Sequence, residues 1–165
     1  MQSDWSIDVP NLGEVIFRQE LLKSLAKFRQ LDACDKESGG VLIGKYLNSG
    51  GAMQIDDFTP PQPTDKQSRC GFYRSATHNR IVTQAWRESE GHATYVGLWH
   101  THPESNPNYS LLDRRDWEKA LKESRYEGQH LFFIIVGQQS LRCWVGVNSK
   151  KETKISLIGE RHFGK

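Results

Sequence analysis

Two histidines and one aspartate, His100, His102 and Asp113, are spaced as ligands of one metal ion. The histidines follow an apolar, β-prone run at 95–99, and we expect them to close a strand. Side chains at positions i and i+2 of a strand point to the same face, about 6.6 Å apart along the chain, so both imidazoles can converge on one ion. Two nitrogen ligands and one carboxylate leave a fourth tetrahedral position for water, which is typical of a catalytic zinc site.

The aspartate is expected to reach this place from the start of a helix. Pro103 and Pro107 favour a loop after the strand. Ser110 then begins a helix as its N-cap, with Asp113 in the first turn, where the carboxylate can swing back to the strand end. Each feature also has a purely structural interpretation, because paired strand histidines often pack through hydrogen bonds and Ser-x-x-Asp is a common helix cap. Their combination around a Pro-rich loop favours the metal site.

The whole motif resembles the signature of the JAMM (MPN+) metallopeptidases. It consists of His100-Thr-His102, the seven residues 103–109, Ser110, two further residues and Asp113. The resemblance implies that the two histidines and the aspartate bind one Zn²⁺ per chain. It also implies that Ser110 helps to hold the oxygen of the tetrahedral intermediate.

The water that attacks an amide needs a group to accept its proton and return it to the leaving amine. Glu104 lies in the loop between the ligands, but we expect its side chain to face solvent. Glu37 begins the segment 37–44, Glu-Ser-Gly-Gly-Val-Leu-Ile-Gly, which resembles the Glu-x-x-Gly-x-x-x-Gly segment that precedes the metal motif in JAMM peptidases. The resemblance implies that Glu37 is the general acid/base.

Four further segments, 71–74, 85–89, 95–103 and 115–117, resemble one bacterial branch of this family. That branch comprises free-standing JAMM peptidases encoded beside cGAS-like nucleotidyltransferases (CD-NTases) in CBASS antiphage operons. The resemblance implies a deconjugating peptidase or isopeptidase that cuts after the C-terminus of a CD-NTase. Its implied partners are the C-terminal tail of the conjugated protein and the ubiquitin-transfer-like enzyme of the same operon.

Other functional classes make different demands on the sequence. A deubiquitinase-like JAMM peptidase acting on a ubiquitin-like protein would use the same residues, and so it stays open. A non-catalytic MPN scaffold lacks the ligands, whereas this chain has all of them together with Glu37. A zinc-dependent nucleobase deaminase needs His-x-Glu and Pro-Cys-x-x-Cys, and Cys34, Cys70 and Cys143 cannot supply the cysteine pair.

The resemblance also implies that the substrate tail lies extended beside the site and adds a strand to a sheet edge. We hypothesise that the loop 59–74 forms one wall of this groove, because it has the least periodicity of the chain. Tyr73 and Arg74 are the expected substrate contacts within it. Trp99 is a further candidate, with core packing as the alternative.

Hydrophobic periodicity predicts an α/β fold with a central mixed sheet flanked by about three helices. The resemblance implies that residues 1–165 form a single JAMM/MPN domain with a cytidine-deaminase-like architecture. We expect residues 1–13 to be flexible and strands 39–47 and 53–58 to form a hairpin around 48–51. The second helix is expected to turn Trp86 inward. Leu31 falls on the apolar face of the first helix, and the apolar residues of the third helix include Leu111 and Leu112. The predicted strands are 14–17, 39–47, 53–58, 72–73, 95–102, 131–137, 141–147 and 154–158, and the predicted helices are 21–31, 77–89 and 110–124.

The composition excludes other classes of partner. The 22 Lys and Arg residues nearly balance 20 Asp and Glu residues, so no nucleic-acid or membrane partner is indicated. The longest apolar run, 131–136, is far short of a membrane span. Three widely spaced cysteines and a start without a signal pattern favour a reduced, cytoplasmic location. The four remaining histidines are expected at surface or capping positions; they are His78, His92, His130 and His162.

Overall fold

The computed structural model describes residues 3–47, 52–149 and 152–164. Within these ranges the chain forms strands and helices in the following order. They are β1 (Trp5–Val9), β2 (Gly13–Phe17), α1 (Gln19–Ala26), β3 (Gly39–Tyr46), β4 (Met53–Phe58), β5 (Lys66–Ser68), β6 (Gly71–Tyr73), α2 (Thr77–Glu88), β7 (Thr94–Thr101), α3 (Leu111–Glu123), β8 (His130–Val136), β9 (Ser140–Asn148) and β10 (Thr153–His162).

Eight of the strands form one mixed sheet in the order β1-β2-β4-β3-β7-β8-β9-β10. The pairs β2/β4 and β7/β8 are parallel, and the other neighbours are antiparallel. The short strands β5 and β6 form a separate two-stranded hairpin. The predicted mixed sheet with three helices is therefore confirmed.

The central strand β8 shows how the sheet separates two cores. All seven of its residues are buried, as expected of a strand covered on both faces. Phe132, Ile134 and Val136 join one apolar cluster, to which α1 contributes Leu21, Leu22 and Leu25. The alternate residues of β8 join a second cluster with Trp117 and Leu121 of α3, and Val82 of α2 packs against it. Helix α1 thus covers one face of the sheet, and α2 and α3 cover the other.

The same alternation sorts the residues of β7. Leu98 belongs to the cluster on the α3 side, whereas Trp99 belongs to the cluster on the α1 side. His100 follows the parity of Leu98, and its ring lies 6.3 Å from that of Trp117. The end of β7 therefore presents histidines to α3 and its intervening residues to α1.

Two predictions near the N-terminus are wrong. Residues 1–13 were expected to be flexible, but β1 pairs with β2 along its whole length and the ring of Trp5 packs 5.3 Å from that of Phe17. The first helix ends at Ala26 instead of continuing to Leu31, which is exposed. The chain turns after Ala26, and Phe28 then packs against Trp99.

The prediction that Trp86 faces inward is wrong, because its side chain is half exposed. The apolar residues Leu111 and Leu112 at the start of α3 are largely exposed. The reason is that the first turn of α3 extends beyond the sheet, whereas its later turns, with Trp117, pack on it. The predicted hairpin turn at 48–51 lies outside the described residues, although the flanking strands pair antiparallel as expected.

Two of the histidines expected at surface or capping positions, His78 and His130, are buried. His78 Nε2 lies 2.8 Å from the inaccessible carboxylate of Asp65, and its Nδ1 lies 2.6 Å from Thr59 Oγ1. Burial raises the pKa of Asp65, but hydrogen bonds from backbone N–H groups and from His78 outweigh burial and lower it. This buried pair ties α2 to the loop before β5.

None of the helices in the described ranges has the length and apolarity needed to cross a bilayer.

Candidate metal centre

The register between β3 and β7 brings the Glu37 segment to the two histidines. Gly39 lies opposite His100 in the antiparallel ladder, and the N–H of Thr101 donates to the carbonyl of Ser38 at 2.9 Å. Continuing the register by one further step places Glu37 beside His102. Glu37 Oε1 accordingly lies 3.6 Å from His102 Nε2, although these residues are far apart in the chain.

Asp113 is held at the same point by the start of α3. Ser110 and Asp113 form a capping box, in which the N–H of Asp113 donates to Ser110 Oγ at 3.1 Å and the N–H of Ser110 donates to Asp113 Oδ2 at 2.8 Å. This arrangement fixes the carboxylate on the side of the helix that faces β7. Asp113 Oδ1 lies 3.2 Å from His100 Nε2, and Asp113 Oδ2 lies 3.2 Å from His102 Nε2.

The three side chains fit a tetrahedral metal ion. The Nε2 atoms of His100 and His102 lie 3.0 Å apart, so two nitrogens and a carboxylate converge on one small region. A tetrahedral Zn²⁺ with bonds of about 2.0–2.2 Å would place its ligand atoms about 3.3–3.6 Å apart, only slightly farther than here. The donor set of two imidazoles and one carboxylate also leaves one coordination position open.

The outer contacts of this group match those of histidine ligands. His102 Nδ1 lies 3.1 Å from Glu104 Oε1, and a metal-binding histidine commonly donates its second N–H to a carboxylate. Glu104 is half exposed, so the expectation that it faces solvent is only partly met. Glu104 lies on the Nδ1 side of the His102 ring and so acts as a partner of that ring. It is therefore not the group nearest to the open coordination position.

Burial and charge set the protonation of the centre. Burial raises the pKa of Asp113, but hydrogen bonds from His100 and His102 outweigh it and hold that pKa far below the usual range. Burial lowers the pKa of His102, but its hydrogen bond to Asp113 outweighs burial and raises it. The pKa of Glu37 is raised because burial disfavours its charged form, and the neighbouring histidines offset only part of this effect. A carboxylate with a raised pKa is suited to both accepting and donating a proton.

The hairpin β5–β6 holds Glu37 from behind. The N–H of Glu37 donates to the carbonyl of Ser68 at 2.7 Å, and the side chain of Gln67 donates to the carbonyl of Glu37 at 2.8 Å. Phe72 covers Gly39 so closely that a Cβ added there would lie 2.6 Å from its ring. The glycine therefore lets the hairpin approach the segment that carries Glu37.

A cleft of about 420 Å³ opens over this centre and contains all five residues predicted to be catalytic or metal-binding. Arg74 lines it and forms an ion pair with Asp116 at 3.3 Å. Tyr73 is exposed beside it, because alternation along β6 turns Phe72 and Arg74 toward the cleft. The expected residues in the cleft are Glu37, His100, His102, Ser110 and Asp113.

The proposal that Trp99 contacts substrate is wrong. Its side chain is fully buried on the α1 side of the sheet, where its ring packs against Phe28 and Phe58. The hypothesised wall 59–74 contributes Cys70, Phe72 and Arg74 to the cleft, whereas the sequence analysis missed Leu112 and Asp116. The available signal for Leu112 was its position next to Asp113 in the first turn of a helix.

Comparison with known proteins gives a consistent result. Residues 18–146 match the family described as prokaryotic homologues of the JAB domain. A relative from Pseudomonas aeruginosa named CD-NTase/cGAS isopeptidase is 35% identical over 140 residues, which is 84% of this chain and 86% of the relative. Relatives of the same name are 30% identical over 143 residues in Escherichia coli and 32% identical over 145 residues in Vibrio cholerae. These matches cover 86% and 87% of this chain, respectively, and 86% of each relative.

Proposed function

Because this chain belongs to the family of prokaryotic homologues of the JAB domain, we propose that it is a zinc-dependent isopeptidase that cleaves after the C-terminus of a conjugated protein. Its relatives named CD-NTase/cGAS isopeptidase support a CD-NTase as that protein, released from its targets in CBASS antiphage defence. One observation carries the proposal. The buried carboxylate of Glu37 lies within one water's reach of the point where His100, His102 and Asp113 converge.

The residues of the chain divide the reaction between them. Bound Zn²⁺ would polarise the scissile carbonyl and lower the pKa of water to about 7. Glu37 orients the attacking water, accepts its proton and later delivers a proton to the departing amine. Ser110 Oγ already accepts the N–H of Asp113, which leaves its hydroxyl hydrogen free to donate to the oxyanion that develops on the substrate.

The walls of the cleft support an extended peptide as substrate. Strand β6 pairs with β5 on one side, and an extended tail can add to its other edge through main-chain hydrogen bonds. Arg74 would contact the tail from within the cleft, and Tyr73 would contact it from the opposite face of the added strand. Leu112 lines the cleft from the start of α3 and is 73% exposed, so it would bury apolar surface against the tail.

We further propose that the transfer enzyme of the same operon forms the conjugates and that both proteins act in the cytoplasm. A ubiquitin-like protein with a similar extended tail is the alternative substrate, since the chemistry at the amide is the same. A non-catalytic scaffold is disfavoured by the complete set of converging donors.

The proposal is tested by joining a CD-NTase through its C-terminus to a reporter protein and measuring release. The wild-type protein is expected to cleave this fusion, to lose activity on treatment with EDTA and to regain it with one Zn²⁺ per chain. Glu37→Ala should retain the metal and lose activity, by about 10²- to 10⁴-fold, because the general acid/base is removed.

Glu118→Gln is the matched control, since Glu118 is an acidic residue of α3 that pairs with Arg114. It should cleave as well as the wild type. A Glu37→Ala variant with wild-type activity would show that Glu37 is not the acid/base. Release of a ubiquitin-like fusion but not of the CD-NTase fusion would favour the alternative substrate.

A further inference from the structure

A buried polar pair lies behind the candidate metal centre, on the α1 side of the sheet. Gln30 and Thr101 are both fully buried. Thr101 stands between the two candidate metal ligands His100 and His102, and alternation along the strand turns its side chain away from theirs. The mechanism proposed above uses neither residue.

The donor and the acceptor of each hydrogen bond in this pair can be assigned from side-chain chemistry. The Gln30 side chain contacts the carbonyls of Asp35 at 3.2 Å and Arg69 at 2.9 Å. Because carbonyls can only accept, the amide nitrogen of Gln30 must face them and its oxygen must face Thr101. The hydroxyl of Thr101 therefore donates to Gln30 Oε1 at 2.8 Å, and its own oxygen accepts the N–H of Ser38 at 2.9 Å.

Ser38 is thereby fastened to the strand that carries the histidines. Its N–H donates to the Thr101 side chain, and its carbonyl accepts the Thr101 N–H at 2.9 Å. Ser38 is the immediate neighbour of Glu37, and Thr101 is the immediate neighbour of both histidines. This hydrogen bond joins residues 63 positions apart and links the neighbour of the acid/base to the neighbour of the metal ligands.

We propose that Gln30 and Thr101 are positioning residues that hold the Glu37 carboxylate at its distance from His100 and His102, an inference that rests on the proposed isopeptidase function. Thr101 fixes the chain directly after Glu37. Gln30 holds Thr101 in its hydrogen-bonding orientation and also holds the carbonyls of Asp35 and Arg69. Arg69 follows Ser68, whose carbonyl accepts the N–H of Glu37 at 2.7 Å, so both sides of the Glu37 backbone are tied to Gln30.

Loss of the Thr101 hydroxyl would act on Glu37 without touching a ligand. Thr101→Val keeps the branched shape of the side chain but leaves the Ser38 N–H and Gln30 Oε1 buried without partners. The segment before β3 would then move to hydrate these groups. A displacement of about 1 Å in a reacting group can lower the rate about 10²-fold.

The test compares Thr101→Val with the conservative Thr101→Ser, which retains the hydroxyl. Amide hydrogen exchange of Ser38, Zn²⁺ affinity, and kcat and KM for the reporter fusion are measured on each folded protein. Thr101→Val should speed the exchange of Ser38 at least 10-fold and lower kcat about 10- to 100-fold. KM and Zn²⁺ affinity should stay within threefold of wild type, and Thr101→Ser should restore both the exchange rate and kcat.

Gln30→Met is the second variant, and it replaces Thr101→Val in the test if that protein does not fold. It should lower kcat by the same factor and leave KM unchanged. A variant with kcat within threefold of an active wild type would overturn the inference. So would unchanged Ser38 exchange in Thr101→Val, or a fall in Zn²⁺ affinity that parallels the fall in kcat. Amide hydrogen exchange of Ser38 is measured without substrate, so it tests the hydrogen-bond network independently of cleavage. A wild-type protein that cleaves no fusion would contradict only the proposed function.

Discussion

Ser110 has two roles that can be separated by substitution. Its side-chain oxygen accepts the N–H of Asp113 and caps α3. Its hydroxyl hydrogen is proposed to donate to the oxyanion of the substrate. Ser110→Ala removes both roles. Ser110→Gly also removes the hydroxyl, but glycine is nearly as good as serine at the start of a helix.

The structure predicts different magnitudes for the two variants. Loss of the cap in Ser110→Ala should lower the free energy of unfolding by about 1 kcal/mol, and Ser110→Gly should lower it by only a few tenths. For a chain of this length, about 1 kcal/mol corresponds to a fall in Tm of about 2–4 °C. Loss of one oxyanion donor should lower kcat about 10²- to 10³-fold in both variants alike. Metal affinity should not change, because the backbone N–H of Ser110 still holds Asp113.

Thermal unfolding and steady-state cleavage of the reporter fusion measure the two effects, with Ser110→Thr as the control that keeps the hydroxyl. If both variants retain kcat within threefold of wild type, the hydroxyl is not an oxyanion donor. If kcat falls only in Ser110→Ala, in step with Tm, the defect comes from the helix start and the reasoning fails.

Three further predictions follow from other parts of the structure. Leu112→Ser should raise KM about 10-fold with little change in Tm, because an exposed apolar contact with substrate is lost. The same substitution at Leu157, on the exposed face of β10, should leave KM unchanged. The folded-state pKa of Asp65 lies below its unfolded value, so its contribution to stability should be complete above about pH 3.9 and disappear as pH falls through the lower folded pKa. Urea unfolding between pH 2.5 and 6 measures this slope, and a slope as steep in Asp65→Asn as in wild type would contradict it. Gly40→Ala should lower the free energy of unfolding by about 1–3 kcal/mol, because the new Cβ would lie 2.1 Å from the carbonyl oxygen of Thr59; unchanged urea unfolding would refute this close approach.

The candidate ligands were readable from the sequence because their geometry is local. His100 lies in β7 and His102 directly follows the strand, and the strand period alone places the two side chains on one face. Ser110 and Asp113 are three residues apart at a helix start, and the capping box follows from that spacing. The buried strands of the sheet were predicted for the same reason, since their apolar runs and bounding turns are local features.

Side-chain type alone could not assign a face to the apolar residues. Trp99 was considered for the cleft and lies in the core, whereas Leu112, noted only as an apolar residue of a helix, lines the cleft. Their positions depend on the parity of β7 within the sheet and on how far α3 extends past the sheet edge. Both are properties of packing between distant elements.

The sequence by itself determined the donor types, their local spacing and the strands and helices that carry them. The tertiary structure decided which distant residues join them. Glu37 was assigned by resemblance, and its physical place beside His102 comes from the register of β3 against β7. Gln30 belongs to no motif, and its link to Thr101 exists only because the segment after α1 lies on the face of the sheet to which Thr101 points. Local spacing follows from backbone geometry within a few residues, whereas contacts across the chain depend on the register and packing of the whole fold.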